Sequence, residues 1–387
     1  MTQKMENYTL FDAEQGVYQD FFEFSETLSG AFPVKITKRR LSGGVSDGVD
    51  IIEIENGRLS LTILPTRGMG IHRGRCGDVE LKWDSPVRGP VHPAFVPVCD
   101  PGGLGFLEGF DEWLVRCGLE SNGAPEFDAD GRLRYPLHGR IGNLPACHVS
   151  LSVNRETGEI SLTGKVRESK LFFKNLELTS TLTTFAGSAE FTVRDTVTNH
   201  SAEPGEYELL YHINTGQPLA SPGARVMIPF HRMAPRTPVV AVADLPTWNL
   251  LGPETPGSAE VVHFFEAAAG ADGFCPTMLV SAAGNRGLGI SFRPSELPYF
   301  SLWKSRLANA DGYVCGMEPA VNFPSPRSFE KSQGRVVTLP PGGSRTHELR
   351  FSLLTDAEAV RKMEAEILAV PAEGKIEPAP VPEWSGS

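Results

Sequence analysis

From Val49 onward the chain alternates apolar and polar residues with the period of a strand. Ile51-Ile52-Glu53-Ile54 and Leu59-Ser60-Leu61-Thr62-Ile63-Leu64 flank Asn56-Gly57. Asn-Gly readily takes the positive φ angles of a type I′ turn, so a β-hairpin is predicted here. Long Thr- and Val-rich alternations follow at 160–166, 176–184 and 190–199, joined by short polar or Gly-containing turns. Further strand patterns fall at 209–212, 226–228, 288–292, 335–339 and 346–354. Strands in direct succession, without an amphipathic helix between them, predict antiparallel pairing and a mostly β fold. A single amphipathic helix is predicted over 356–368, with Thr355 as its N-cap and acidic residues in its first turn.

The same pattern sets the expected boundaries. Residues 1–44 read as an N-terminal extension packed on the main body, with Phe21, Phe22 and Phe24 as helix or cap residues. Residues 45–370 form the β domain, and the Pro- and Glu-rich segment 371–387 is an extended or disordered tail. Between Asp84 and Leu137 regular alternation gives way to a loop-rich stretch dense in Pro, Gly and aromatic residues. Long loops inside a compact domain usually belong to a site.

Composition narrows the function classes. With 387 residues, 40% of them hydrophobic, the chain can bury a large core without cross-links. The 40 glycines and 31 prolines are spread along its length, as many tight turns require. A net charge of −11 repels phosphate backbones and anionic lipid heads, so neither nucleic acid nor membrane is an expected partner. The N-terminus lacks the apolar core of a signal peptide, and a cytoplasmic location is expected. Six cysteines without a CxxC and nine histidines without an HExxH predict neither a disulfide framework nor a local metal motif. Cys117 has no His beside it in sequence and reads as an inert packing residue.

Candidate chemistry gathers where strands end in sharp turns. Pro65-Thr66-Arg67-Gly68-Met69-Gly70 closes a strong strand, and the Arg67 fork suits vicinal oxygens or an anion. Leu137-His138-Gly139-Arg140-Ile141-Gly142-Asn143 places two glycines where a ligand can approach backbone. Tyr211-His212-Ile213-Asn214 ends a β run, and Gly316-Met317-Glu318-Pro319 sets a carboxylate among apolar neighbours. A carboxylate and an imidazole can exchange protons with the two oxygens of a sugar's anomeric centre. Burial would bring the Glu toward neutrality, where His already titrates. Arg67, Arg116, Arg140 and Lys304 are candidate contacts to an acidic sugar. Trp303 and Trp113 are candidates to stack on its face. Asp111, Asn122, Asn143 and Asn214 are candidate hydroxyl partners.

The segments around His138, His212 and Glu318, in this order, resemble the aldose 1-epimerase (galactose mutarotase-like) family, in a branch carrying the Pro65–Gly70 motif. The likeness runs over about Val49 to Leu354, and the block 176–214 is its most diagnostic part. It implies a large antiparallel β-sandwich with the sugar on a concave sheet. It also implies Glu318 as general base, His212 as general acid and His138 as a substrate contact, with no cofactor or metal. The departures at Gly139-Arg140 and at Ile213 leave the sugar open. Three readings follow: an isomerase interconverting anomers of an aldose or acidic sugar, an epimerase shifting a proton at carbon, or a silent sugar-binding domain. A small-molecule sugar is the expected partner, with the chain a monomer or homodimer.

Overall fold

The computed structural model describes residues 5–386, and among these it forms two large sheets packed face to face. In the first, Ala146–Asn154, Glu159–Lys170, Lys174–Phe185 and Glu190–Asn199 run as consecutive antiparallel neighbours. Ser344–Leu354 then pairs with Glu190–Asn199 and with Gly287–Phe292. The second sheet has at its centre Val261–Ala267, Tyr299–Ser305, Val314–Ala320, Gly205–Thr215 and Leu114–Leu119, hydrogen-bonded in that order. The predicted hairpin is present as Asp50–Glu55 and Leu59–Leu64. The expected large antiparallel β-sandwich is therefore the fold.

Alternation decides what each strand gives to the interior. On Glu190–Asn199 the inward set is Phe191, Val193, Asp195 and Val197, all buried. Phe191 and Phe351 of this sheet stack at 4.6 Å between ring centroids and meet the edge of Trp113 from the other. A buried ion pair crosses the same interface. Arg116 bonds Asp195 through two nitrogens, and also donates to Ser180 Oγ at 2.8 Å and the Met69 carbonyl at 2.7 Å.

Asn56 ties the hairpin to the opposite sheet. Its Nδ2 donates to Thr184 Oγ1 (2.9 Å) and to the carbonyls of Phe185 (2.9 Å) and Ser188 (3.0 Å), while its Oδ1 accepts from Arg58 and Leu59. Asn56→Ala would orphan several of these groups, and each buried polar group left unpaired costs about 1–3 kcal/mol. Chemical denaturation should therefore register a loss of about 2–3 kcal/mol. A change within about 0.5 kcal/mol, as at ordinary surface sites, would mean that water replaces the lost bonds.

Three sequence expectations change here. Phe22 and Phe24 lie in a strand, Phe22–Leu28, not a helix. They sit two apart, so one face of that strand carries both rings. This strand pairs with Phe32–Arg40, which pairs with Asp50–Glu55, while Met5–Asp12 pairs with Ala146–Asn154, so residues 5–40 extend both sheets. The loop-rich stretch contains a central strand, Leu114–Leu119, whose residues are all buried; burial on both faces erases the alternation that would have marked it. The C-terminal helix is Ala357–Leu368, capped by the Asp356 side chain on the Ala359 N–H at 2.8 Å, not by Thr355. Beyond it, Lys375–Ile376 pairs with Phe230–Pro235, and Val381 and Trp384 are buried against Phe323.

Candidate active site

Register on the second sheet brings the central pair together. Gly205–Thr215 and Val314–Ala320 are antiparallel, and the pairs Leu210↔Ala320 and Ile213↔Met317 set His212 opposite Glu318. Tyr207, Leu209, Tyr211 and Ile213 belong to the sandwich core. Leu210, His212 and Asn214 consequently project from the other face, where Phe106 and Phe110 pack with Leu210 and Phe110 meets His212. Gly316 leaves room for the carboxyl: a Cβ there would lie 2.6 Å from Glu318 Oε1 and 3.0 Å from the Trp303 ring.

His212 Nε2 lies 3.3 Å from Glu318 Oε1, with both side chains almost fully buried. Their separation is contact rather than the width of a sugar ring. The imidazole's other nitrogen, Nδ1, donates to Asn214 Oδ1 at 2.6 Å, while Asn214 Nδ2 donates to the Glu112 carbonyl at 3.0 Å. This anchor fixes the tautomer and leaves the Nε2 lone pair facing the carboxyl. Burial drives the His212 pKa well below 6.5, and the neighbouring His138 adds to the effect. Burial likewise raises Glu318 well above 4.5. Both groups are thus favoured uncharged, with one transferable proton between them.

His138 is held by a backbone cradle. It sits at φ 58° beside Gly139 at φ 69°, and a Cβ on Gly139 would come within 2.0 Å of the Ser121 carbonyl. Its Nδ1 donates to the Asn122 carbonyl at 2.9 Å, which leaves Nε2 as an acceptor. Burial lowers its pKa to about 4. The ring meets His212 edge to face at 5.2 Å.

These three residues, with Phe110, Trp303, Leu104, Leu107, Leu137, Arg236 and Glu260, line a cleft of about 310 Å³. That is the lower end of the range for small-ligand sites. Trp303 Nε1 donates to Glu260 at 2.9 Å, and Glu260 pairs with Arg236 at 3.4 Å.

The remaining sequence candidates lie elsewhere. Arg116 faces the sandwich interior and is neutralised by Asp195. Lys304 follows Trp303, so strand alternation turns it to the opposite face, where Asp244 and the carbonyls of Trp248 and Leu250 hold it. Arg67 is buried in an ion pair with Glu112 at 2.7 Å and clamps the carbonyls of Val91 and Gly109. Asp111 is buried near His72, and Trp113 belongs to the core. Asn122 pairs with Asn322 at 2.8 Å behind His138. Arg140 and Asn143 line a separate depression with Pro93 and Val96. The cluster of cations expected for an acidic sugar does not form in the cleft. Leu104, Leu107, Arg236 and Glu260 had not been anticipated; the density of Gly and aromatic residues over 102–110 was the available signal for the first two. Cys117 is buried, and burial raises its thiol pKa well above 9.0.

Among the described residues no group of three or more His, Cys, Asp or Glu is placed to hold a metal ion, and no helix is long and apolar enough to cross a membrane. No curated protein matches the chain. Among solved structures, a Klebsiella pneumoniae protein provisionally named an aldose 1-epimerase is 33% identical, covering 96% of this chain and 97% of its own, with a TM-score of 0.91. A galactose mutarotase-like protein from Clostridium acetobutylicum is 13% identical (86% and 98% covered, TM-score 0.56). Galactose 1-epimerase from Lactobacillus acidophilus is 9% identical (83% and 98% covered, TM-score 0.52). At those identities the last two share the fold alone. Residues 46–353 match the family described as a domain of unknown function, DUF4432, and the chain belongs to that family, on a galactose mutarotase-like fold.

Proposed function

We propose that the protein interconverts the anomers of a monosaccharide by acid–base catalysis at Glu318 and His212. The observation that carries this reading is their 3.3 Å contact on the floor of a cleft of monosaccharide size. The hydroxyl and ring oxygens of an aldose share one carbon, so two groups in contact can serve both. In the uncharged pair the Glu318 carboxyl gives its proton to the ring oxygen while His212 Nε2 takes the proton of the anomeric hydroxyl. The bond from C1 to the ring oxygen breaks and an aldehyde forms. Rotation about C1–C2 and return of both protons give the other anomer. The roles at the start are then the reverse of those implied by the family resemblance, because burial favours the protonated acid and the neutral imidazole. His138 Nε2 is a ready acceptor for a neighbouring hydroxyl.

Exchange spectroscopy by NMR on a panel of aldoses tests the reading. Anomer exchange should exceed the buffer rate for at least one sugar, and its absence across the panel would remove the proposal. Solvent deuterium appearing at carbon would instead indicate a proton shift.

The pH profile follows from the same geometry. The working pair needs His212 free of its proton and Glu318 carrying one. Rate should rise as pH climbs through the depressed imidazole pKa, below 6.5, and fall only as pH climbs through the elevated carboxyl pKa, above 4.5. An acid limb at or above pH 6.5 in kcat/KM would contradict this assignment.

A further inference from the structure

Resting on the anomer-exchange reading, we propose that the site prefers 6-deoxyhexoses, sugars with a methyl group in place of the hydroxymethyl group on C5. The argument begins with how polarity is distributed around the cleft. Its floor is buried and polar: His212 is 4% exposed and Glu318 3%. Its rim is open and apolar on one side, where Leu104 is 49% exposed and Leu107 46%. Pro125 and Leu137 continue that wall.

Backbone groups there are already engaged. The Leu137 N–H donates to the Gly103 carbonyl at 2.9 Å, Leu107 to Leu104 at 3.0 Å, and Ala124 to Pro324 at 3.2 Å. The side chains of this wall carry no donor, and these three N–H groups are spent within the backbone. The other side is polar, with Arg236 and Glu260 joined to each other and to Trp303 Nε1.

A pyranose seated with its anomeric carbon on the Glu318–His212 floor is flanked unequally. On one side of C1 stand the C2 and C3 hydroxyls, which match the Arg236–Glu260 side. On the other, past the ring oxygen, stands C5 with its substituent, which falls to the leucine wall. A hydroxymethyl group pressed against the leucine side chains loses water and gains no partner from them, a penalty on the order of tenfold in affinity. A methyl group fills the same space with apolar contact. Relative to a bare hydrogen, that contact is worth about fourfold. The four cations that the sequence offered as contacts to an acidic sugar are held in ion pairs elsewhere or line another depression.

Sugars that differ only at C5 provide the test: D-galactose, D-fucose and L-arabinose; D-glucose, 6-deoxy-D-glucose and D-xylose; and their L-series counterparts. Anomer-exchange kcat/KM and ligand-observed NMR affinity are measured on the full chain for each set. In the set with the best overall fit, the methyl member should exceed the hydroxymethyl member by about tenfold and the pentose by about fourfold. Leu104→Gln and Leu107→Gln, on an exposed turn, should each shrink the first ratio several-fold by supplying a partner. A hydroxymethyl member that equals or exceeds its methyl analogue in every set, in both measurements, overturns the proposal. If no sugar exchanges faster than with Glu318→Gln, the catalytic reading falls, while the affinity ratios still decide the preference for the methyl group.

Discussion

Glu318→Gln should lower anomer exchange by about 10²- to 10⁴-fold, the usual contribution of a positioned proton-transfer group. The amide keeps the volume and planarity of the carboxyl but has no proton to give at neutral pH. Cavity effects are therefore small, and Gly316 still leaves room for the side chain. Stability should hardly change, because burial already favours the uncharged acid, so one neutral group replaces another. Sugar affinity should persist, since His138 and the cleft walls remain in place. Exchange NMR for rate, a thermal melt for folding and a binding titration for affinity separate these outcomes. A variant that folds, binds and exchanges at the wild-type rate would exclude Glu318 from the chemistry.

Asp195→Ala should destabilise the fold by about 3–5 kcal/mol, the cost of leaving one partner of a buried ion pair uncompensated. Arg116 cannot turn to water: it is 2% exposed and fixed by Ser180 and the Met69 carbonyl as well. The exposed pair Arg39–Glu53 is the control, and Glu53→Ala should cost no more than about 1 kcal/mol. Chemical denaturation compares the two. Because Asp195 points from the first sheet into the sandwich interior, while His212 projects from the opposite, outer face of the second sheet, the folded Asp195→Ala protein should keep its sugar specificity. A loss near that of Glu53→Ala would mean that water reaches Arg116 within the sandwich.

Much of this was legible in the sequence, and the failures have a common physical cause. His212 and Glu318 stood out because a polar residue among apolar strand neighbours is costly to bury without a partner. Alternation, applied more strictly, separates Trp303 from Lys304: adjacent strand residues cannot share a face, so only one can reach the cleft. It also turns Arg116 away from Val115 and Cys117, which pack on the cleft side. Alternation is silent on Leu114–Leu119 itself, since a strand buried on both faces is apolar throughout. Phe22 and Phe24, two apart, already carried a strand signal that the cluster of aromatic residues obscured. Arg236 and Glu260 were beyond reach, and Leu104 and Leu107 were signalled only by the density of Gly and aromatic residues around them. Their meeting depends on how loops from distant strands close over the sheet, which no local pattern encodes.

The Asn122–Asn322 bond behind His138 joins segments 200 residues apart in the chain. Contacts of such separation slow folding, because a long loop must close before any bond repays its entropy. His138 rests on the Asn122 carbonyl, and Glu318 arrives only with Val314–Ala320. A nascent chain that has not yet extruded that strand carries the imidazoles without their partner. Sugar chemistry should therefore switch on with completion of the sandwich, and its return after dilution from denaturant would report the slowest closure of the fold.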